Sequence, residues 1–286
     1  MSQEPPRIAV VGAGTMGHGI AHVAAMSGHR VALNDAVPAA LEKARRQIEA
    51  DLDAGLRKGK VSEEEKSRTL ANLRLEPDLA AAARDADLIV EAVMEDLELK
   101  RDLFGRLDRL APPGAILATN TSSLPVGKIA SATARPERVL GMHFFNPVHL
   151  MKLVEVVVHG RTGDEARDRV LETARRMGKT AIVVKDSPGF ATSRLGVVLG
   201  LEAMRMLEEG VASAEDIDRA MELGYNHPMG PLRLTDLVGL DVRLAIAEHL
   251  HRELKDERYR PPEILKNKVK AGELGKKTKK GFYSWE

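Results

Sequence analysis

The sequence predicts an α/β protein with a mostly parallel sheet and a helical insertion, followed by a smaller all-α domain. From residue 7 to about residue 184, short apolar runs rich in β-branched residues alternate with longer helical stretches, which is the pattern of βαβ units. After the segment KDSPG at 185–189 the strand pattern stops and helical periods replace it. We therefore predict two domains, over residues 1–186 and 187–286.

Seven apolar runs are the predicted strands. They span Ile8–Val11, Val31–Asn34, 88–92, Ile116–Thr119, 139–142, Leu153–Val158 and 181–184. Runs that are apolar on both faces are typical of a sheet covered by helices on both sides. Between the second and third runs, residues 38–73 are rich in Ala, Leu, Arg, Lys and Glu, which predicts two helices broken near Gly59 and Lys60.

Glycine, proline and capping residues divide the second domain into helices. A helix over 190–209 is expected to end at Gly210, and Ser213, with an acid three residues later, predicts the start of a helix that reaches Leu223. The segment NHPMGP at 226–231 is too rich in proline and glycine to be regular, and a helical period resumes over 241–254.

The composition excludes several classes of protein. The chain has 286 residues, of which 43% are hydrophobic and 30% charged, as in a globular protein of two domains. Its 43 basic and 42 acidic residues give a net charge of +1, so no overall field favours nucleic acid or an anionic membrane. The chain has no cysteine and no early apolar run long enough for a signal or a membrane span, so we expect a cytoplasmic protein.

The segment GAGTMG at 12–17 follows the first predicted strand directly and opens a helix. This context predicts a Rossmann-type dinucleotide site, in which Gly12 allows a tight turn, Gly14 lets a pyrophosphate approach and Gly17 lets helix and strand pack closely. The helix N-terminus directs its amides and positive dipole end to the phosphates. Asp35, at the end of the second strand, should accept ribose hydroxyls and repel a 2′-phosphate, which favours NAD over NADP. The predicted cofactor contacts are Gly12, Gly14, Thr15, Met16, Gly17 and Asp35.

The segment GMHFFNPVHLMKLVEVVV at 141–158 places an imidazole and a carboxylate on neighbouring apolar runs. His143 can take a proton from an alcohol near neutral pH, and Glu155 on its other nitrogen would set the tautomer and stabilise the imidazolium. Alone, such a pair is more often structural. Beside a dinucleotide site it predicts an alcohol-oxidising dehydrogenase. Asn120, Ser122 and His143 all follow predicted strand ends, which places them on the edge of the sheet where ligands bind.

Together these segments make the chain resemble the 3-hydroxyacyl-CoA dehydrogenase family, in particular its bacterial members that act on 3-hydroxybutyryl-CoA. The resemblance runs nearly end to end, through GAGTMG at 12–17, EAVME at 91–95, TNTSSL at 119–124, the segment 141–158, DSPGF at 186–190, NHPMGP at 226–231 and KGFY at 280–283. It implies a reversible, NAD-dependent oxidation of (S)-3-hydroxyacyl-CoA to 3-oxoacyl-CoA, with short acyl chains. It also implies a second domain that forms one wall of the substrate cleft and the interface of a homodimer.

The resemblance assigns catalytic roles to single residues. His143 matches the family's catalytic base, and Glu155 matches the carboxylate that orients it. Ser122 matches a hydroxyl that bonds the reacting oxygen, and Asn146 matches an asparagine that borders the active site. Ser193 stands where the family commonly has asparagine. Since serine is shorter and has one donor fewer, we expect it to be an altered site residue.

The resemblance also assigns cofactor and CoA contacts. Asn120 matches an amide near the nicotinamide end of the cofactor, and Glu95 and Lys100 match a pair at the nicotinamide-side ribose. Taken singly, Asn120 and Ser122 are better explained as turn residues after a strand, and Glu95 as an acid at a helix start. Lysines that related enzymes offer to the CoA phosphates are replaced by Ala50 and Ala54. The remaining basic candidates are Arg45, Arg46, Arg57, Lys58 and Lys60.

Two other functions remain open at this point. One is a dehydrogenase of a hydroxy acid without CoA, of the gulonate type, and the other is a non-catalytic dinucleotide-binding protein with a crystallin-like or sensing role. Neither would oxidise NADH with acetoacetyl-CoA.

Metal and nucleic-acid binding are not expected. His18 and His22 lie four residues apart on the first helix, but no third ligand accompanies them at a useful spacing. The basic segment KKTKK at 276–280 has no aromatic residues between its charges, unlike nucleic-acid-binding segments.

Overall fold

The structure of this chain, a computed structural model, describes residues 5–286. The chain divides into two compact units, the first ending at Ser187 and the second spanning Pro188–Glu286. The first unit is α/β and the second is helical, so the predicted fold class is confirmed. No helix within residues 5–286 is long and apolar enough to cross a membrane.

One eight-stranded sheet forms the centre of the first unit. Its strands are β1 (Ile8–Val11), β2 (Val31–Asn34), β3 (Leu73–Glu76), β4 (Leu88–Glu91), β5 (Ile116–Thr119), β6 (Val139–Phe144), β7 (Leu153–Val158) and β8 (Thr180–Lys185). Their order across the sheet is β3-β2-β1-β4-β5-β6-β7-β8, and all neighbours are parallel except β6 and β7. The strand order reverses between β1 and β4, which is the switch point where open α/β sheets bind ligands.

Helices cover both faces of this sheet. They are α1 (Thr15–Met26), α2 (Pro38–Arg57), α3 (Glu63–Ala71), α4 (Leu79–Ala83), α5 (Leu97–Leu110), α6 (Val126–Ala130) and α7 (Asp164–Arg176). Successive residues of a strand point to opposite faces. Ile8 and Val10 of β1 accordingly join the apolar core under α1 and α2, whereas Ala9 and Val11 join the core under α5. This two-sided burial explains the uninterrupted apolar runs in the sequence.

The second unit is a helical bundle around one apolar core. Its helices are α8 (Thr192–Glu208), α9 (Ala214–Gly224), α10 (Pro231–Val238), α11 (Leu240–Leu254) and α12 (Glu263–Lys270). The core includes Val197, Leu201, Met204 and Leu250.

Asp236 of α10 binds the end of the chain to the second unit. Its buried carboxylate accepts hydrogen bonds from the backbone N–H groups of Phe282 and Tyr283, both at 2.9 Å, and from Nε1 of Trp285 at 2.8 Å. The closing KGFY segment therefore has a structural role.

The structure differs from the predicted elements at β3, α10 and α8, and also at β6, which continues to Phe144. The edge strand β3 was not predicted, because its sequence LRLE is partly exposed and carries charges instead of an apolar run. Helix α10 begins inside the segment predicted to be irregular, since Pro231 stands at its first position, where a proline is tolerated. Helix α8 begins at Thr192 and not at residue 190, where Phe190 has a φ of 48°.

Asp236→Ala should destabilise the second unit by about 3 kcal/mol, because three partly buried donors lose their common acceptor. Denaturant unfolding followed by the fluorescence of Trp285, the only tryptophan of the chain, measures this loss. Asp241→Ala is the control, since its ion pair with Lys277 is half-exposed and should contribute about 1 kcal/mol or less. Equal losses in both variants would contradict the role given to Asp236.

Candidate active site

The glycines of the loop between β1 and α1 have three different environments. Gly12 has a φ of 101°, and a Cβ there would lie 2.6 Å from the carbonyl oxygen of Ala92. A Cβ on Gly17 would lie 1.7 Å from the carbonyl oxygen of Gly12. At Gly14, no heavy atom counted among the described residues lies within 4 Å of a Cβ position. The fold therefore requires glycine at 12 and 17, whereas Gly14 leaves open space beside the loop.

The N-terminus of α1 is well suited to an anion. Gly14 is its N-cap, no side chain of the described residues caps it, and its first turn contains no acidic residue. Thr15 in that turn is exposed and Met16 packs against the core. The unsatisfied amides and the positive dipole end of a helix attract phosphate. The open space at Gly14 leads to the same end of the helix, so the loop fits a dinucleotide pyrophosphate.

Asp35 follows β2 and holds the glycine loop. Its Oδ2 accepts the backbone N–H of Ala13 at 2.8 Å, and its Oδ1 accepts that of Val37 at 2.9 Å. Each carboxylate oxygen can accept more than one hydrogen bond, so these contacts leave acceptor capacity for a ribose. They also hold the negative charge of Asp35 at the edge of the glycine loop, where we expect it to repel a 2′-phosphate.

His143 and Glu155 face each other across the one antiparallel pairing of the sheet. They are directly opposite in the register of β6 and β7, and His143 Nδ1 lies 2.8 Å from Glu155 Oε2. Glu155 is fully buried and His143 is 7% exposed. Because a carboxylate only accepts hydrogen bonds, it sets the proton on Nδ1 and leaves Nε2 as the basic nitrogen. The sequence placed His143 beyond its strand, but β6 continues to Phe144, so the base is held inside the sheet.

Asn120 and Ser122 lie on the loop that follows β5. The backbone N–H of Asn120 donates to the carbonyl of Glu91 at 2.8 Å, and its Oδ1 accepts the N–H of Phe144 at 2.9 Å. Asn120 thus links the end of β5 to Phe144, the residue after His143. Ser122 is exposed, and its N–H donates to Glu95 at 3.0 Å. Since β4, β5 and β6 run parallel, these residues share the carboxyl edge of the sheet.

Lys100 has a nearer partner than the predicted one. Its buried Nζ lies 2.5 Å from Glu91 Oε1 and 3.4 Å from Glu95 Oε2. The fully buried Glu91 also accepts hydrogen bonds from Thr119 Oγ1 and the N–H of Val93, both at 2.7 Å. A buried charge requires such partners.

Sequence reasoning missed two residues at this edge of the sheet, Glu91 and Thr121. The available signal for Glu91 was a carboxylate at the end of the otherwise apolar strand LIVE. Thr121 is buried and donates to Glu95 Oε1 at 2.5 Å. Through Glu91 and Glu95, the loops after β4 and β5 are held together at the edge of the sheet.

The two remaining predicted site residues lie in different units. Asn146 follows β6, is exposed, and lines a cavity of about 560 Å³ together with Gly14 and Thr15. Ser193 lies in the first turn of α8 in the second unit and is partly buried.

The structure also groups three residues that the sequence did not. His22 of α1, Asp51 of α2 and His149 of the loop after β6 have ligand atoms within 4.8 Å of one another. Spacing along the chain could not reveal this group, because its members come from three elements that are remote in sequence.

Comparison with known families identifies both halves of the chain. Residues 7–187 match the family model of the 3-hydroxyacyl-CoA dehydrogenase NAD binding domain. Residues 189–285 match that of the 3-hydroxyacyl-CoA dehydrogenase C-terminal domain.

Individual relatives match over the full length. A probable 3-hydroxybutyryl-CoA dehydrogenase of Bacillus subtilis (strain 168) is 46% identical over 283 residues, which cover 99% of this chain and 98% of the relative. The 3-hydroxybutyryl-CoA dehydrogenase of Mycobacterium tuberculosis (strain ATCC 25618 / H37Rv) is 44% identical over 287 residues and 100% of both chains. The crystal structure of (S)-3-hydroxybutyryl-CoA dehydrogenase PaaH1 from Ralstonia eutropha is 39% identical, covers 99% of both chains and has a TM-score of 0.95.

Gly14→Ala and Gly17→Ala should fail in different ways. A methyl group at 14 meets open space, so the variant should keep the parent melting temperature but bind NADH roughly tenfold more weakly, a loss of about 1.4 kcal/mol. A methyl group at 17 collides with the Gly12 carbonyl, so that variant should melt at a lower temperature. Thermal unfolding and fluorescence titration with NADH separate the two effects. Unchanged NADH affinity in Gly14→Ala would refute the assignment of this loop.

Proposed function

The chain belongs to the 3-hydroxyacyl-CoA dehydrogenase family, and we propose that it interconverts short-chain (S)-3-hydroxyacyl-CoA, such as 3-hydroxybutyryl-CoA, with the 3-oxoacyl-CoA. The observation that carries this proposal is the His143–Glu155 pair, held at 2.8 Å across β6 and β7, on the sheet whose switch point carries the glycine loop. The short acyl chain is supported by the names of the full-length relatives.

The predicted cofactor, NAD, is confirmed by the matching NAD binding domain. In our proposal, the loop at 12–17 and the N-terminus of α1 hold the pyrophosphate of NAD. Asp35 binds the adenosine ribose, and Glu95 and Asn120 contact the nicotinamide half. When bound there, NAD would supply the acceptor for the hydride from C3 of the substrate.

The proton moves to His143. Its Nε2 takes the proton of the 3-hydroxyl as the C–H bond breaks, and the imidazole becomes an imidazolium. Glu155 is fully buried, so its charge is poorly screened by water and stabilises this imidazolium. In the reverse direction, the imidazolium returns the proton to the oxygen of the 3-oxo group.

The remaining site residues position the reacting groups. Asn120 keeps β5 and β6 together beside the base. We assign to Ser122 the hydrogen bond with the reacting oxygen. In this proposal Asn146 borders the site, and Ser193 takes the place of the asparagine that the family commonly has. Lys100 acts through Glu91 and Glu95 and is a positioning residue for the loop after β4.

Two lysines of the insertion are suited to the CoA phosphates. Lys58 and Lys60 are exposed and line a cavity of about 530 Å³ that Ala54 also lines. By contrast, Arg45 is paired with Glu49 at 3.0 Å on the exposed side of α2. Neither Arg46 nor Arg57 lines this cavity. Phosphates accept charge-assisted hydrogen bonds from lysine, so we assign this role to Lys58 and Lys60, which line the cavity.

We also propose a homodimer formed by the second unit. Large apolar side chains are exposed on three helices that pack against one another, α8, α10 and α11. They are Leu195, Leu199, Leu234, Leu237, Val238 and Val242. An exposed apolar surface of this kind marks a protein interface, and a second copy of the chain is the partner that the family resemblance implies. The cytoplasm remains the expected compartment.

His143→Ala should lower kcat with acetoacetyl-CoA and NADH by about 10²- to 10⁴-fold, because general acid–base catalysis is lost. Glu155→Gln keeps a hydrogen-bonding group opposite the imidazole but not its charge, so kcat should fall by a smaller factor. NADH oxidation at 340 nm measures the rates, and fluorescence titration should show that both variants still bind NADH.

Parental turnover by His143→Ala would disprove the proposed base. If the parent chain itself oxidised no NADH with acetoacetyl-CoA, that result would favour the gulonate-type dehydrogenase or the non-catalytic protein instead.

The double substitution Lys58→Ala and Lys60→Ala should raise KM for acetoacetyl-CoA about tenfold with little change in kcat, since the phosphate contacts lie far from the reacting carbon. Arg46→Ala removes a charge from the same insertion and should leave KM unchanged. Steady-state kinetics at two salt concentrations measures this, and the KM of the double variant should depend less on salt. An unchanged KM would show that the CoA phosphates bind elsewhere.

A further inference from the structure

The residues His22, Asp51 and His149 form a cluster in the wall of the 530 Å³ cavity. His149 Nδ1 lies 3.6 Å from Asp51 Oδ2, and the two imidazole rings have centroids 5.6 Å apart and planes tilted by 30°. The proposed hydride and proton transfers use none of these residues. Any role of these three residues therefore lies outside the proposed reaction.

His22 has unmet hydrogen-bonding groups. Its side chain is 97% buried (relative exposure 3%), and neither ring nitrogen has a hydrogen-bond partner among residues 5–286. Leaving a buried polar group without a partner is costly. An imidazole binds metal ions through a ring nitrogen, and His22 has such a nitrogen within 4.8 Å of the ligand atoms of Asp51 and His149.

We propose that His22, Asp51 and His149 bind one divalent transition-metal ion with the preferences of zinc. Two imidazoles and one carboxylate are a ligand set of zinc sites that keep a fourth position open. Ligands about 2.0–2.2 Å from zinc in a tetrahedron lie roughly 3.3–3.6 Å apart. The 3.6 Å between His149 and Asp51 is near this value, and the ligand atoms of all three residues lie within 4.8 Å of one another.

The surroundings determine the charge of the site. Asp51 contributes one negative charge, so an ion of charge +2 bound by these three residues would leave a net charge of +1. Lys179 opposes the ion, but its ammonium group donates to the carbonyl oxygens of Val148 and Met151, and burial lowers its pKa. The cavity that all three residues line leaves the fourth position open to a water.

A bound ion would join three elements of the first unit. His22 lies on α1, Asp51 on α2 and His149 on the loop after β6. An ion that binds only the folded chain stabilises it according to its concentration and affinity. The melting temperature should therefore rise with zinc whether or not the chain has the proposed dehydrogenase activity.

The test is direct zinc binding to the full chain. After treatment with EDTA and addition of zinc, the parent should retain one zinc per chain on dialysis, measured by inductively coupled plasma mass spectrometry. His149→Gln and Asp51→Asn change partly exposed residues and should fold, but they should bind zinc at least tenfold more weakly. His251→Gln is the matched control, because His251 also faces a carboxylate, that of Glu257 at 3.8 Å, outside the cluster.

A thermal scan with and without zinc gives the second measurement. The parent and His251→Gln should gain thermal stability with zinc, whereas His149→Gln and Asp51→Asn should not. His22→Gln is not needed for the conclusion, since its burial makes a folding defect hard to separate from lost binding. Zinc retention no higher than that of the buffer, or equal retention and equal stabilisation in His149→Gln, would overturn the proposal.

Discussion

The close approach of α1 to the sheet at Gly12 and Gly17 is the constraint on which the rest of the first unit depends. A Cβ at either position would collide with backbone oxygen, so no other residue type lets the helix start so near the end of β1. This contact brings the N-terminus of α1 to the switch point of the sheet. It also sets the position of the rest of α1, including His22, against α2.

Polar groups at the carboxyl edge of the sheet complete the site that this contact begins. Glu91 and Glu155 are both fully buried, and each has a cationic or imidazole partner, which is the condition for placing a charge in an apolar sheet. The partners act differently. Lys100 holds Glu91 and the loops beside it, whereas His143 is a titratable group that the paired Glu155 orients. One edge thus combines a rigid support with a proton acceptor.

The loop after β6 lines two neighbouring cavities, and residues of the insertion line both of them. Asn146 on this loop lines the cavity beside Gly14, and His149 lines the neighbouring cavity with Lys58 and Lys60. The insertion therefore does more than cover the sheet, because its first helix forms a wall of both cavities. This explains in structural terms why the segment between β2 and β3 exceeds the length of a simple crossover.

Local signals in the sequence determined the fold class, the glycine loop and Asp35, because turns, caps and strand runs depend on neighbouring residues. They did not reveal β3, whose partly exposed residues carry no apolar pattern, nor Glu91 as the nearer partner of Lys100. Only the tertiary structure decided that β6 and β7 pair antiparallel with His143 opposite Glu155. The same holds for His22, Asp51 and His149, since contacts between distant segments depend on register and packing that spacing along the chain does not encode.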